Sequence, residues 1–163
     1  MLFCEGKKLI LGLICAVLVI VLDQVSKYAV LDWLGERIAV NICDFFNIVR
    51  AWNTGVSFSM FNNYGSLGAY VLSAAAIVIV LMLFYWLKTE KNKLSQTALG
   101  LIMGGALGNV IDRLRFGAVF DFLDFHISES HWPAFNVADS CICIGATIIV
   151  LQALVAQFKK KEK

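Results

Sequence analysis

Four long apolar runs, Leu9–Val30, Leu67–Leu87, Leu94–Leu114 and Val137–Phe158, constrain this chain more than anything else in it. Each approaches the roughly 20 residues that a helix needs to cross a bilayer. Backbone polar groups at that depth have no water to bond, so the runs must close their hydrogen bonds internally, as helices. Composition agrees: 60% of the 163 residues are hydrophobic and 16% charged, where a soluble domain is about half apolar and about a quarter charged. The expected fold is an α-helical polytopic membrane protein. It forms a single domain over residues 1–163, with spans near 9–30, 67–87, 94–114 and 137–158 and longer loops at 31–66 and 115–136.

The first run follows Lys7 and Lys8, which raises the alternative of a cleavable signal peptide. No small-x-small site precedes the polar Asp32–Arg37 segment, so a retained helix is expected. Lysines gather at the N-terminus, at Lys88, Lys91 and Lys93, and at Lys159–Lys161 and Lys163, while the longer loops hold only Arg37, Arg50 and Arg115. The excess of positive charge on cytoplasmic segments then puts both termini in the cytoplasm and both longer loops outside. The first of those loops reads as a small extramembrane β-like cradle. Short β-like pieces at Ile38–Ile42 and Phe45–Ala51 alternate with turn formers at Asn53–Gly55 and Asn62–Gly65. Phe45, Phe46, Trp52, Phe58 and Phe61 would lie at headgroup level. The cysteines at 4, 15, 43, 141 and 143 have neither metal nor redox spacing, and a disulfide framework is not expected. Neither a metal, an organic cofactor nor a nucleic-acid partner is implied.

The polar residues that interrupt this pattern carry the functional reading, because ionisable groups at the edge of a bilayer are costly unless paired or wetted. With the topology above, Asp23, Asn109, Asp112, Arg113, Asp121 and Asp139 fall near the outer leaflet. Asp23 and Lys27 are spaced i,i+4 with the acid first, the better order for a helical ion pair. Asn109, Asp112 and Arg113 share a helix face with Gly105, and Gly104 and Gly108 form a small-xxx-small pair that admits another helix. Asp112 reads equally as a structural partner of Arg113 or Lys27. Asp121 sits among Ala118, Val119, Phe120 and Phe122, an apolar setting that raises a carboxyl pKa. Asp139 lies in a first helical turn behind Asn136, a plausible N-cap, where the helix dipole favours the ionised form. A carboxyl biased neutral beside one biased charged suits general acid/base work, although Asp139 taken alone reads as an ordinary capping acid. Asp124, His126, Glu129 and His131 match no zinc motif and read as a solvated loop face. Asp124→Asn is accordingly expected to leave most activity in place. A Ser/Lys peptidase built on Ser26, Ser57 or Ser59 with Lys27 is disfavoured, because Asp23 keeps Lys27 charged and a poor base.

These motifs in this order closely resemble the bacterial lipoprotein signal peptidases, the type II signal peptidases. The resemblance covers nearly the whole chain: Asp23-x3-Lys27, Trp52-Asn53-Thr54-Gly55, Gly104-Gly105-Ala106-Leu107-Gly108-Asn109, Asp112-Arg113, Val119-Phe120-Asp121-Phe122 and Phe135-Asn136-Val137-Ala138-Asp139. It departs at Phe120, where the family usually carries valine. The resemblance implies a membrane-embedded aspartyl endopeptidase of the bacterial inner membrane. Such an enzyme removes signal peptides from diacylglyceryl-modified prolipoproteins, cutting before the lipidated cysteine. It further implies Asp121 and Asp139 as the catalytic dyad. Asn53, Gly55, Asn109, Arg113 and Asn136 would contact substrate, with Asp23, Lys27, Gly105, Gly108, Asp112 and Ala138 in support. The expected partners are lipidated precursors and membrane lipids, and the protein is expected to act as a monomer. A small proton-coupled transporter using the same intramembrane acids is the alternative, and a lipid-binding scaffold without catalysis a third reading.

Overall fold

The computed structural model describes residues 2–55 and 66–161. In chain order it contains α1 (Leu2–Leu34), β1 (Ala39–Cys43), β2 (Phe46–Asn53), α2 (Ser66–Thr89), α3 (Lys93–Phe116), β3 (Val119–Ile127), β4 (Ser130–His131) and α4 (Val137–Lys161). Each helix contains a stretch long and apolar enough to cross a membrane, and the protein is a four-helix polytopic membrane protein.

The helices are arranged about α3, which packs against the other three. It has the lowest hydropathy of the four and the most buried surface, as a helix enclosed by protein can afford polar side chains that a lipid-facing one cannot. α1, α2 and α4 turn Val17, Leu18, Val71, Leu81, Val150 and Leu154 outward. Small residues set the spacing. A Cβ at Gly104 would lie 2.6 Å from the Ala16 carbonyl of α1, and one at Gly105 would collide with the Ala138 carbonyl of α4. Any larger residue would push those backbones apart. α3 begins at Asn92, whose side chain accepts from the amides of Leu94 and Ser95, and ends at Gly117 in the left-handed region, φ 73°.

The strands form one antiparallel sheet in the order β1-β2-β3-β4. Leu34, Phe120 and Phe122 pack together with Val30, Leu31, Val40 and Ile48, joining the sheet to the end of α1. The expected cradle is present, with three differences. β1 and β2 begin one residue later than the β-like pieces, and β2 continues to Asn53. Residues 31–34, placed in a loop, complete α1. Val119–Ile127, read as a polar excursion, is the longest strand. Phe45 and Trp52 are exposed at the sheet, and the Trp52 ring also lies 5.4 Å from Phe116 and 5.3 Å from Phe120. Phe58, Phe61, the Asn62–Gly65 turn, Ser57 and Ser59 lie outside the described residues.

Candidate active site

The first described carboxylate of interest, Asp121, projects from β3 opposite Ala51 of β2 and is 2% exposed. The second, Asp139, stands in the first turn of α4 and is half-buried. Asn136 connects them. As the N-cap of α4 it accepts the Asp139 N–H at 3.0 Å, while Asp139 Oδ2 accepts the Asn136 N–H at 3.2 Å. That reciprocal pair is a capping box with an acid at its third position. Because the cap occupies Asn136 Oδ1, its Nδ2 is left to donate, and it does so to Asp121 Oδ1 at 2.7 Å.

The orientation of the remaining amides follows from partners that can only donate. Lys27 Nζ lies 3.2 Å from Asn109 Oδ1, which turns Asn109 Nδ2 towards Asp139 Oδ1 at 2.8 Å. The Gly55 N–H donates to Asn53 Oδ1 at 2.8 Å, which turns Asn53 Nδ2 towards Asp121 Oδ2 at 2.9 Å. Each carboxylate therefore receives a donor on both oxygens. Burial nevertheless pushes the Asp121 carboxyl up to about 6, assisted by the charge of Asp139 and opposed by the Asn53 and Asn136 donors and by Lys27.

Behind the pair lies an ionic triad. Lys27 Nζ is 2.8 Å from both Asp23 Oδ2 and Asp112 Oδ2, and all three side chains are nearly inaccessible. Each triad acid also holds a backbone amide: Asp23 Oδ1 accepts from Ala138 N at 2.9 Å, and Asp112 Oδ2 from Phe120 N at 3.1 Å. Those amides belong to the residues immediately before Asp139 and Asp121. Gly108 leaves room for this arrangement, since a Cβ there would lie 2.7 Å from Asp23 Oδ2. Asp112 thus pairs with Lys27, while Arg113 Nε is buried without a hydrogen-bond partner among the described residues. The Arg113 guanidinium borders Gly55, whose positive φ of 80° and contact with Leu72 exclude a side chain.

Sequence reasoning missed Gln24, whose Nε2 lies 2.9 Å from Asp112 Oδ1 and 3.2 Å from Asp23 Oδ2. A polar residue directly beside Asp23, in the same short stretch as Ser26 and Lys27, was the available signal. The solvated-face reading of Asp124 requires correction. Asp124 is 6% exposed and hydrogen-bonded to Asn47 and His131, because β3 is an interior strand with both neighbours paired. Glu129 in the β3–β4 turn and His131 in the short edge strand β4 are exposed, as expected of a solvated face. No group of three or more His, Cys, Asp or Glu among the described residues is placed to hold a metal.

A sequence profile of the family described as signal peptidase (SPase) II matches residues 15–155. The chain is 45% identical over 139 residues to the lipoprotein signal peptidase of Anaplasma marginale, covering 85% of this chain and 81% of that one. It is 45% identical over 148 residues to the Aeromonas hydrophila lipoprotein signal peptidase, covering 89% of each chain. Two solved structures of a bacterial membrane enzyme superpose with TM-scores of 0.78 and 0.76 at 32% identity. They cover 93% and 88% of this chain and 92% of each of theirs.

Proposed function

The chain belongs to the signal peptidase II family, and on that premise we propose that it removes signal peptides from diacylglyceryl-modified prolipoproteins by aspartyl chemistry, cutting before the lipidated cysteine. The observation that carries the aspartyl reading is the link between Asp121 and Asp139 through one buried residue, Asn136, whose side-chain amide donates to Asp121 and whose backbone N–H donates to Asp139. Burial and the charge of Asp139 both raise the Asp121 carboxyl, and a neutral acid beside a second carboxyl group suits an acid/base pair. Asp139 is the more accessible and takes the proton from the attacking water. Asp121, the buried acid, donates its proton to the scissile carbonyl oxygen as the water adds. Asp139, now protonated, passes its proton to the leaving amine as the C–N bond breaks, and Asp121 takes back the hydroxyl proton as the new carboxyl group forms.

Asn109 and Asn136, which the resemblance assigns to substrate contact, have both ends of their amides engaged within the site. Their role in this scheme is to hold the dyad. The Asn53 amide is likewise engaged at both ends, so Arg113, with an unpartnered Nε among the described residues, and the exposed backbone of the Asn53–Gly55 segment are left to meet the substrate backbone and the developing oxyanion. Nothing favours the transporter reading, and the relatives named above are peptidases.

The acid role of Asp121 sets a pH dependence. Its protonated fraction falls as pH rises through about 6, so kcat/KM for a purified lipidated precursor should decline over the same interval. A rate that stays flat or climbs between about pH 5 and 8 contradicts the assignment.

The lysine clusters support a topology with both termini cytoplasmic and the sheet outside. Reporter fusions after Lys93 and at the C-terminus should read as cytoplasmic, and one at Glu129 in the β3–β4 turn as periplasmic. A periplasmic signal at Lys93 would reverse the topology.

A further inference from the structure

A second polar array crosses the sheet, away from the dyad, and takes one side chain from each strand. Asn41 Nδ2 of β1 donates to Asn47 Oδ1 of β2 at 3.0 Å. Asn47 Nδ2 donates to Asp124 Oδ2 of β3 at 2.9 Å. His131 Nδ1 of β4 lies 2.9 and 3.0 Å from the two Asp124 oxygens, and since a carboxylate only accepts, the imidazole donates. Asn41 Nδ2 also donates to the Cys43 carbonyl at 3.1 Å, fixing the direction of the whole row. The Asn47 and His131 donors hold the Asp124 carboxyl below the usual carboxylate range, although burial acts the other way.

The position of this row gives it a consequence for chemistry. Asn47 pairs with Asp124 and Ile48 with Leu123, but Ala51 then pairs with Asp121. Three steps along β2 match two along β3, so a bulge separates the Asp124 row from the Asp121 row. Register beside a bulge needs pinning, because a slip of one residue turns every side chain to the opposite face. On the dyad side the pin is Asn53 to Asp121; on the far side it is Asn47 to Asp124.

We propose that Asp124, anchored by Asn47, is a positioning residue for cleavage, fixing β3 beyond the bulge so that the Asp121 carboxyl is aimed at the scissile bond. It touches no reacting atom. The proposal rests on the aspartyl reading above, and the test separates the two.

Asp124→Asn is a poor single probe, because its oxygen can keep the Asn47 N–H while its own amide donates to His131 Nδ1 in the other imidazole tautomer. Asp124→Ala removes the acceptor from the row altogether. Combining Asn47→Asp with Asp124→Asn restores every donor–acceptor match: the carboxylate at 47 accepts from Asn41 and from the amide at 124, whose oxygen accepts from His131. With a lipidated precursor, Asp124→Ala should lower kcat roughly 10- to 100-fold per folded molecule with little change in KM, and the double variant should be close to the parent. Asp124→Ala as active as the parent overturns the proposal. So does a loss that merely tracks the folded fraction, or a folded double variant no better than Asp124→Ala. Should Asp124→Ala fail to fold, the double variant decides alone: folded and active supports the pin, folded and inactive overturns it. Asp121→Asn in the same assay separates the premise, since activity there removes the aspartyl reading itself.

Discussion

Asp121→Asn and Asp139→Asn should each abolish precursor cleavage while membrane insertion and folded yield stay at parental levels. Asparagine keeps the size of the side chain and one acceptor oxygen but cannot carry the proton. At Asp139 the introduced amide offers one oxygen to the Asn109 and Asn136 donors, so one hydrogen bond is lost without loss of packing. At Asp121 the introduced amide meets both the Asn53 and Asn136 donors, which costs a hydrogen bond but no packing. The rate loss should reach at least 10³-fold, in the range expected when general acid/base catalysis is removed. Substantial turnover in either variant would place the chemistry elsewhere, and a matching loss of folded protein would mean the effect was structural.

The second large effect is at the ionic triad. Lys27→Ala leaves Asp23 and Asp112 buried without their cation, and breaking a buried ion pair from one side costs about 3–5 kcal/mol. Thermal stability in detergent should fall accordingly. Activity per folded molecule should fall as well, because the two acids hold the amides of Ala138 and Phe120 and thereby the backbone before each member of the dyad. Pairing Lys27→Gln with Asp23→Asn should recover only part of the stability, since Asp112 still lacks its cation. A double-mutant cycle measures that coupling. Additive losses would show that the triad does not act as a unit, and a Lys27→Ala protein of full stability but no activity would make Lys27 a participant in the chemistry.

How much of this could be read in advance depended on whether the governing interactions were local. Run length and lysine placement locate the four spans because the bilayer acts on each helix separately. The Asp23–Lys27 pair and the Asn136 cap are likewise visible, being interactions within one helical turn. β3 was hidden for a physical reason. Asp121 and Asp124 are three residues apart and so point to opposite faces of the strand, and both are buried, which destroys the alternation that would mark a half-exposed strand. The polar row across the sheet escaped for the same reason, since Asn41, Asn47 and His131 acquire their roles only through strand pairing. The holds of Asp23 on Ala138 and of Asp112 on Phe120 depend on tertiary approach, the former across 115 positions, and no spacing rule reveals them.

The most direct measurement is product mapping by mass spectrometry after the purified protein meets a diacylglyceryl-modified prolipoprotein and, in parallel, the same precursor without the lipid. The account predicts two fragments from the lipidated precursor alone, a free signal peptide and a mature chain beginning at the modified cysteine. An intact lipidated precursor, a cut at another bond, or equal cleavage of both precursors would contradict it.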